Sequence, residues 1–177
     1  MKKKKSKKKK INEDELAKTL SKIPGVKVQQ IVFENLSLKD QLEVLQKTSV
    51  LVGTHGSGLS NVIFLKDASA LIEIFPYQFE RMSFQQLAQV ARVSYFSWQN
   101  KQKEKATFHP QFLESMSQTE RENVMQDPKS IFRSWSANLY WINQDTVVNC
   151  LEIKKVVEQA LGIKTARKVS KKKRSEL

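Results

Sequence analysis

An α/β fold, a Rossmann-like parallel sheet covered by helices, follows from three observations. Helix-like and strand-like segments alternate along the chain. Two strand candidates, Ser49–Val52 and Ala70–Phe75, are apolar on both faces, the mark of strands buried inside a parallel sheet. The first of them ends in a glycine-rich turn, Gly53-Thr54-His55-Gly56-Ser57-Gly58, and an apolar, helix-compatible segment follows from Leu59 to Leu65. A strand that breaks on glycine and restarts as a helix exposes backbone N–H groups where an α/β fold holds a phosphate.

The elements follow in order. Asn12 is placed to cap a helix that carries Glu13, Asp14 and Glu15 in its first turn and reaches about Ser21. Pro24-Gly25 ends it, and the alternating, β-branched run Val26–Phe33 reads as a strand. Ser37 caps a second helix with Leu38, Leu42 and Leu45 on one face. The strand over Val50–Val52 is expected at the centre of the sheet. Beyond the turn come the helix of Leu59–Leu65 and the strand Ala70–Phe75, closed by Pro76. A helix over Phe84–Ala91 and a strand over Val93–Trp98 come next. Lys101–Ser117 is polar and irregular, Gln118–Gln126 a short polar helix, Trp135–Trp141 aromatic-rich and Thr146–Asn149 a short strand. Leu151–Leu161 reads as an amphipathic closing helix with Gly162 as its stop.

The 177 residues suffice for one domain with a real core. The net charge of +13 suggests a nucleic-acid binder until it is located. Residues 1–10 hold eight lysines, and residues 164–177 hold seven basic residues and Glu176, so the ends carry +14 and residues 11–163 carry −1. The expected organisation is one domain over 1–163 and a basic, disordered tail over 164–177. Such ends are solvated, or bind nucleic acid, an importer or an anionic membrane. No nucleic-acid-binding signature accompanies them, and no nucleic-acid partner is expected. Cys150 is the single cysteine, so a disulfide within the chain is excluded, and two histidines with one cysteine assemble no zinc-type constellation. No stretch is apolar enough to span a bilayer.

Glycine in the turn permits positive φ and close approach of a ligand. His55 can donate to a phosphate oxygen; the alternative is a helix-capping histidine in a tight connection. Glu73 lies near the carboxyl end of an apolar strand, where an unpaired carboxylate is costly. Its partner is a ribose hydroxyl, a basic side chain or a backbone N–H, unless alternation turns it outward. Ser57 lacks the flanking pattern of a hydrolase nucleophile.

These residues carry a resemblance. His55-Gly56-Ser57-Gly58-Leu59, Phe64-Leu65 and Glu73-Ile74-Phe75-Pro76-Tyr77 resemble the core motif of the family 61 glycosyltransferases, with Ser57 in place of the usual alanine. Trp98-Gln99-Asn100, His109-Pro110 and Gln144-Asp145-Thr146-Val147-Val148 are similar to the branch that elongates protein O-mannose with N-acetylglucosamine. The resemblance implies the C-terminal, donor-binding half of a GT-B glycosyltransferase. It implies an enzyme that transfers a sugar, N-acetylglucosamine or a pentose, from a UDP-sugar to a protein or glycan hydroxyl with inversion. The family places arginines four and eight positions ahead of the asparagine, where this chain has Lys8 and Lys4. Lysine keeps the charge and loses the bidentate fork, and residues 1–10 would be a truncated first strand. The donor site so implied comprises Lys8, His55, Gly56, Ser57, Gly58, Leu59, Glu73, Gln144 and Asp145, with His55 stabilising the leaving group. Gln144 and Asp145 shape the cleft or, alternatively, anchor a loop. No Asp-x-Asp occurs, so neither metal nor cofactor is expected. The expected partners are the UDP-sugar, the acceptor and a second, N-terminal Rossmann domain, in the endoplasmic reticulum or Golgi lumen. The alternatives are a noncatalytic nucleotide-sugar-binding remnant and a basic nucleic-acid-binding protein.

Overall fold

A computed structural model describes residues 11–163. The expectations for Lys8, for a first strand within residues 1–10 and for the 164–177 tail lie outside the described residues.

Alternation of apolar side chains builds the sheet. In β2 (Ala70–Phe75) every residue is buried. It lies between β1 (Val50–Thr54) and β3 (Ser94–Gln99), parallel to both, so β2 and not Val50–Val52 is central among the described residues. Gly53 pairs with Glu73 and Glu73 with Ser97. Ile72 and Ile74 face one way, onto α1 (Glu13–Leu20) and α6 (Cys150–Ala160), where they meet Leu16, Leu20, Ile153 and Val157. Leu71 faces the other way, into a cluster with Leu45 of α2 (Leu38–Gln46), Leu59, Val62, and Phe84 and Ala88 of α3 (Ser83–Val90). Side chains two apart share a face, so a continuous apolar strand must be covered on both.

A third cluster sits past the carboxyl end of β2. Phe75 and Phe79 pack there with Leu113, with Val124 of α4 (Gln118–Gln126), and with Tyr140 and Trp141 of α5 (Trp135–Ile142). The Trp141 indole N–H reaches the Val124 carbonyl (3.0 Å) and Ser130 Oγ (3.2 Å), which satisfies its one donor. A short antiparallel ribbon joins β4 (Ala106–Thr107) to β5 (Asp145–Thr146).

Three further expectations need correction. Residues 26–32 form no regular strand. Val26 and Val28 instead pack against the α1–α6 cluster, which accounts for their apolar character without a ladder. The segment after the glycine turn is a 3₁₀ helix, Ser57–Phe64. Asn12 precedes α1 and makes no capping bond. Its amide acts as a backbone surrogate: Oδ1 accepts from Val148 N (2.8 Å) and Nδ2 donates to the Val148 carbonyl (3.2 Å). That pairing ties the start of the described chain to the segment before α6.

Candidate functional site

The strand-to-helix turn is made by packing rather than by special backbone angles. The expected positive φ occurs at none of Gly53, Gly56 and Gly58; Gly56 is extended, with φ 165°. Gly53 is required for another reason. A Cβ there would sit 2.8 Å from Leu59 Cδ2, so its bare backbone lets Leu59 lie on the strand and seat the 3₁₀ helix. At Gly58 a Cβ would meet nothing within 4 Å, and at Gly56 only the Thr54 carbonyl at 3.8 Å. The backbone of the turn is therefore open to close approach.

His55 continues the sheet by one bond, its N–H donating to the Ile74 carbonyl (2.9 Å). Its ring is 6% exposed. It stacks on Phe75 with centroids 5.5 Å apart and meets Phe79 and Phe84 edge-on at 5.1 Å. Nδ1 is hydrogen-bonded to Glu73 Oε1, and Glu73 Oε2 accepts from the Tyr95 hydroxyl at 2.6 Å. Each of the three parallel strands thus contributes one member of a polar chain, His55 from just past the end of β1, Glu73 from β2 and Tyr95 from β3. Burial, and then the hydrogen bond to Glu73, push the Tyr95 phenol far above its ordinary value, so it stays a donor.

Glu73 is 0% exposed. It does not turn outward, and of the partners considered for it a basic side chain, that of His55, is in contact with it. Gln144 is also buried, at 1% exposure, and its Nε2 donates to the carbonyls of Trp141 (2.7 Å) and Tyr77 (3.0 Å). It anchors the end of α5 to the loop after β2 and shapes no cleft with its own surface. Asp145 is half-buried and pairs with His109, Oδ2 to Nε2 at 3.3 Å. It lines a cleft of about 350 Å³ between Ile11 and Asn12 on one side and Lys105, Thr107, Thr146 and Val147 on the other. Thr146 Oγ1 and Gln144 Oε1 are buried without a hydrogen-bond partner.

The fold brings together His55, Gly56, Ser57, Gly58, Leu59 and Glu73 at the carboxyl side of the sheet. Gln144 and Asp145 belong to the adjoining α5–β5 segment. Tyr95 and Lys105 escaped the sequence reading. Tyr95 stands in a strand whose alternation gave no hint of a carboxylate across the ladder. Lys105 lies in a stretch that reads as a polar surface loop.

The Glycosyltransferase 61 family model matches residues 1–72, which include the whole glycine turn. Over those residues the chain is similar to the family 61 glycosyltransferases. EGF domain-specific O-linked N-acetylglucosamine transferase of the dog, Canis lupus familiaris, is 30% identical over 95 residues, 52% of this chain. Its Drosophila melanogaster counterpart is 30% identical over 91 residues, 51% of this chain. Protein O-linked-mannose beta-1,4-N-acetylglucosaminyltransferase 2 of Xenopus laevis is 25% identical over 172 residues, 87% of this chain, a stretch long enough to take in Tyr95, Gln144 or Asp145 as well as the turn. The aligned part is 18% of the dog protein, 17% of the fly protein and 30% of the frog protein, so the chain spans a minor share of these family 61 relatives. Among the described residues no helix is long and apolar enough to cross a membrane.

Proposed function

We propose that this chain is the donor-binding half of a family 61 glycosyltransferase of GT-B architecture. It would transfer a sugar from a UDP-sugar to a protein or glycan hydroxyl with inversion, in the secretory lumen and opposite a second Rossmann domain. The observation that carries the reading is the glycine turn. It lies inside the region matched by the family model, at the carboxyl side of a parallel sheet, and among the described residues a Cβ at Gly58 would meet nothing within 4 Å and one at Gly56 only the Thr54 carbonyl. The relatives named as N-acetylglucosaminyltransferases support the reaction class and favour N-acetylglucosamine as the sugar.

The reaction is a single displacement. The acceptor oxygen forms a bond to the anomeric carbon while its proton passes to a base. The bond from that carbon to the diphosphate oxygen breaks, and its electron pair leaves with UDP. The pyrophosphate would lie against His55 to Leu59, where N–H groups at the start of the 3₁₀ helix and the imidazole meet the growing negative charge. Catalysis would need these donors placed before the charge develops.

Calorimetry with UDP tests the site. His55→Ala should weaken binding by about 1–3 kcal/mol, the scale of a hydrogen bond to a charged group. Ser57→Ala should leave affinity unchanged, because the family carries alanine there. Equal binding of UDP by wild type and His55→Ala would overturn the phosphate-site assignment. Absence of UDP binding, also after an N-terminal Rossmann half is supplied, would overturn the transferase reading.

A further inference from the structure

We propose that Asn35 is a modification site, the acceptor of an N-linked oligosaccharide. The proposal rests on the placement of this chain in the secretory lumen, where such a transfer takes place. Of the eight asparagines in the chain, Asn35 alone is followed two positions later by Ser or Thr, in Asn35-Leu36-Ser37, and the residue between is not proline.

Such a triplet arises by chance in many chains, so its place in the fold decides whether it can carry a sugar. Asn35 closes a single 3₁₀ turn, Phe33–Asn35, in the connection that enters α2. The residue is exposed, and among the described residues no hydrogen bond engages its side-chain amide. The turn is tied down by other groups. Asn35 N–H donates to the Val32 carbonyl and Leu36 N–H to the Phe33 carbonyl, both at 3.0 Å. Gln41 Nε2 donates to the carbonyls of Phe33 (3.0 Å) and Leu36 (3.1 Å). Phe33 packs against the cluster of Leu45, Leu59 and Leu71. A bulky, solvated sugar on Asn35 therefore displaces no packed side chain.

Ser37 has two jobs at two times. In the folded protein its hydroxyl caps α2, accepting from Asp40 N–H at 3.2 Å and donating to Asp40 Oδ2 at 2.6 Å. A hydroxyl so engaged is not offered to a transferring enzyme, so the transfer precedes the formation of α2. In that step Asn35 Nδ2 forms a bond to the anomeric carbon of an oligosaccharide carried on a lipid diphosphate. The bond from that carbon to the diphosphate oxygen breaks, its electron pair leaves with the diphosphate, and Nδ2 gives up one proton.

The full chain, directed into the lumen of a eukaryotic cell by a cleavable leader, tests this. A second Asn-x-Thr triplet appended after Leu177 serves as internal control. The chain should carry two glycans, each seen as one step in gel mobility. A glycosidase that cuts the asparagine-linked bond should remove both and leave an aspartate at position 35, which peptide mass spectrometry reads. Asn35→Gln should lose one of the two steps. Ser37→Asp should lose the same step although aspartate still caps the helix, and Ser37→Thr should keep it. The three variants separate loss of the acceptor from loss of the cap. A glycan on the control triplet with position 35 bare would overturn the proposal, as would two steps surviving in Asn35→Gln. Both positions bare would show a chain that the lumen does not accept, and would overturn the lumenal placement itself.

Discussion

Gly53 and Gly58 are five residues apart and have opposite jobs. The missing Cβ at Gly53 is filled by Leu59, a buried residue whose methyl would sit 2.8 Å from it. Gly53→Ala should lower the unfolding free energy by about 1–3 kcal/mol, the scale of overpacking a core, as read from urea denaturation. Gly58 has open space around it and no positive φ. Gly58→Ala should leave stability within about 0.5 kcal/mol, as at ordinary surface positions. If the donor lies against the turn, the same substitution should weaken UDP binding, which calorimetry reads. The glycines themselves are plain in the sequence. Which of them serves packing and which leaves room depends on Leu59 crossing the strand, and residue order alone does not show that.

At the scale of elements, helices were legible because their signals are local. Ser37 caps α2, with Asp40 N donating to Ser37 Oγ at 3.2 Å. Ser117 and Glu120 form a reciprocal capping box at the start of α4. Ser117→Ala should cost about 1 kcal/mol, with thermal unfolding as the measure. At the far end of α6, Gly162 takes φ +68° and donates to the Gln159 carbonyl, the stop its position suggested. Strands were less legible. A strand exists only when a neighbour's edge accepts it, so Val26 and Val28 of the alternating run served burial against α1 and α6 instead. The aromatic-rich Trp135–Trp141 became helix α5, because Tyr140 and Trp141 are needed in the cluster past β2.

On the scale of the whole molecule, charge and fold are separate. The described residues 11–163 are nearly neutral, and the lysines lie at the two ends. Any RNA or DNA binding should therefore belong to the ends, fall steeply with salt and vanish from a protein of residues 11–163. Filter binding across a salt series checks this, and salt-resistant binding by that trimmed protein would contradict it.

The sequence by itself determined the alternating α/β order, the place of the glycine turn, most helix limits and the resemblance to family 61. All of these are written in stretches of a few to some twenty residues, where periodicity, caps and motif spacing act. Tertiary structure alone decided that β2 is central, that Asn12 pairs with Val148 instead of capping α1, and that Gln144 is an internal anchor. It also decided, among the partners left open for Glu73, that the carboxylate stands between Tyr95 and His55. The long-range pairs among them join residues 18 to 136 positions apart. A buried polar group takes whichever partner the packing brings within hydrogen-bond reach, and a linear pattern carries no record of that partner.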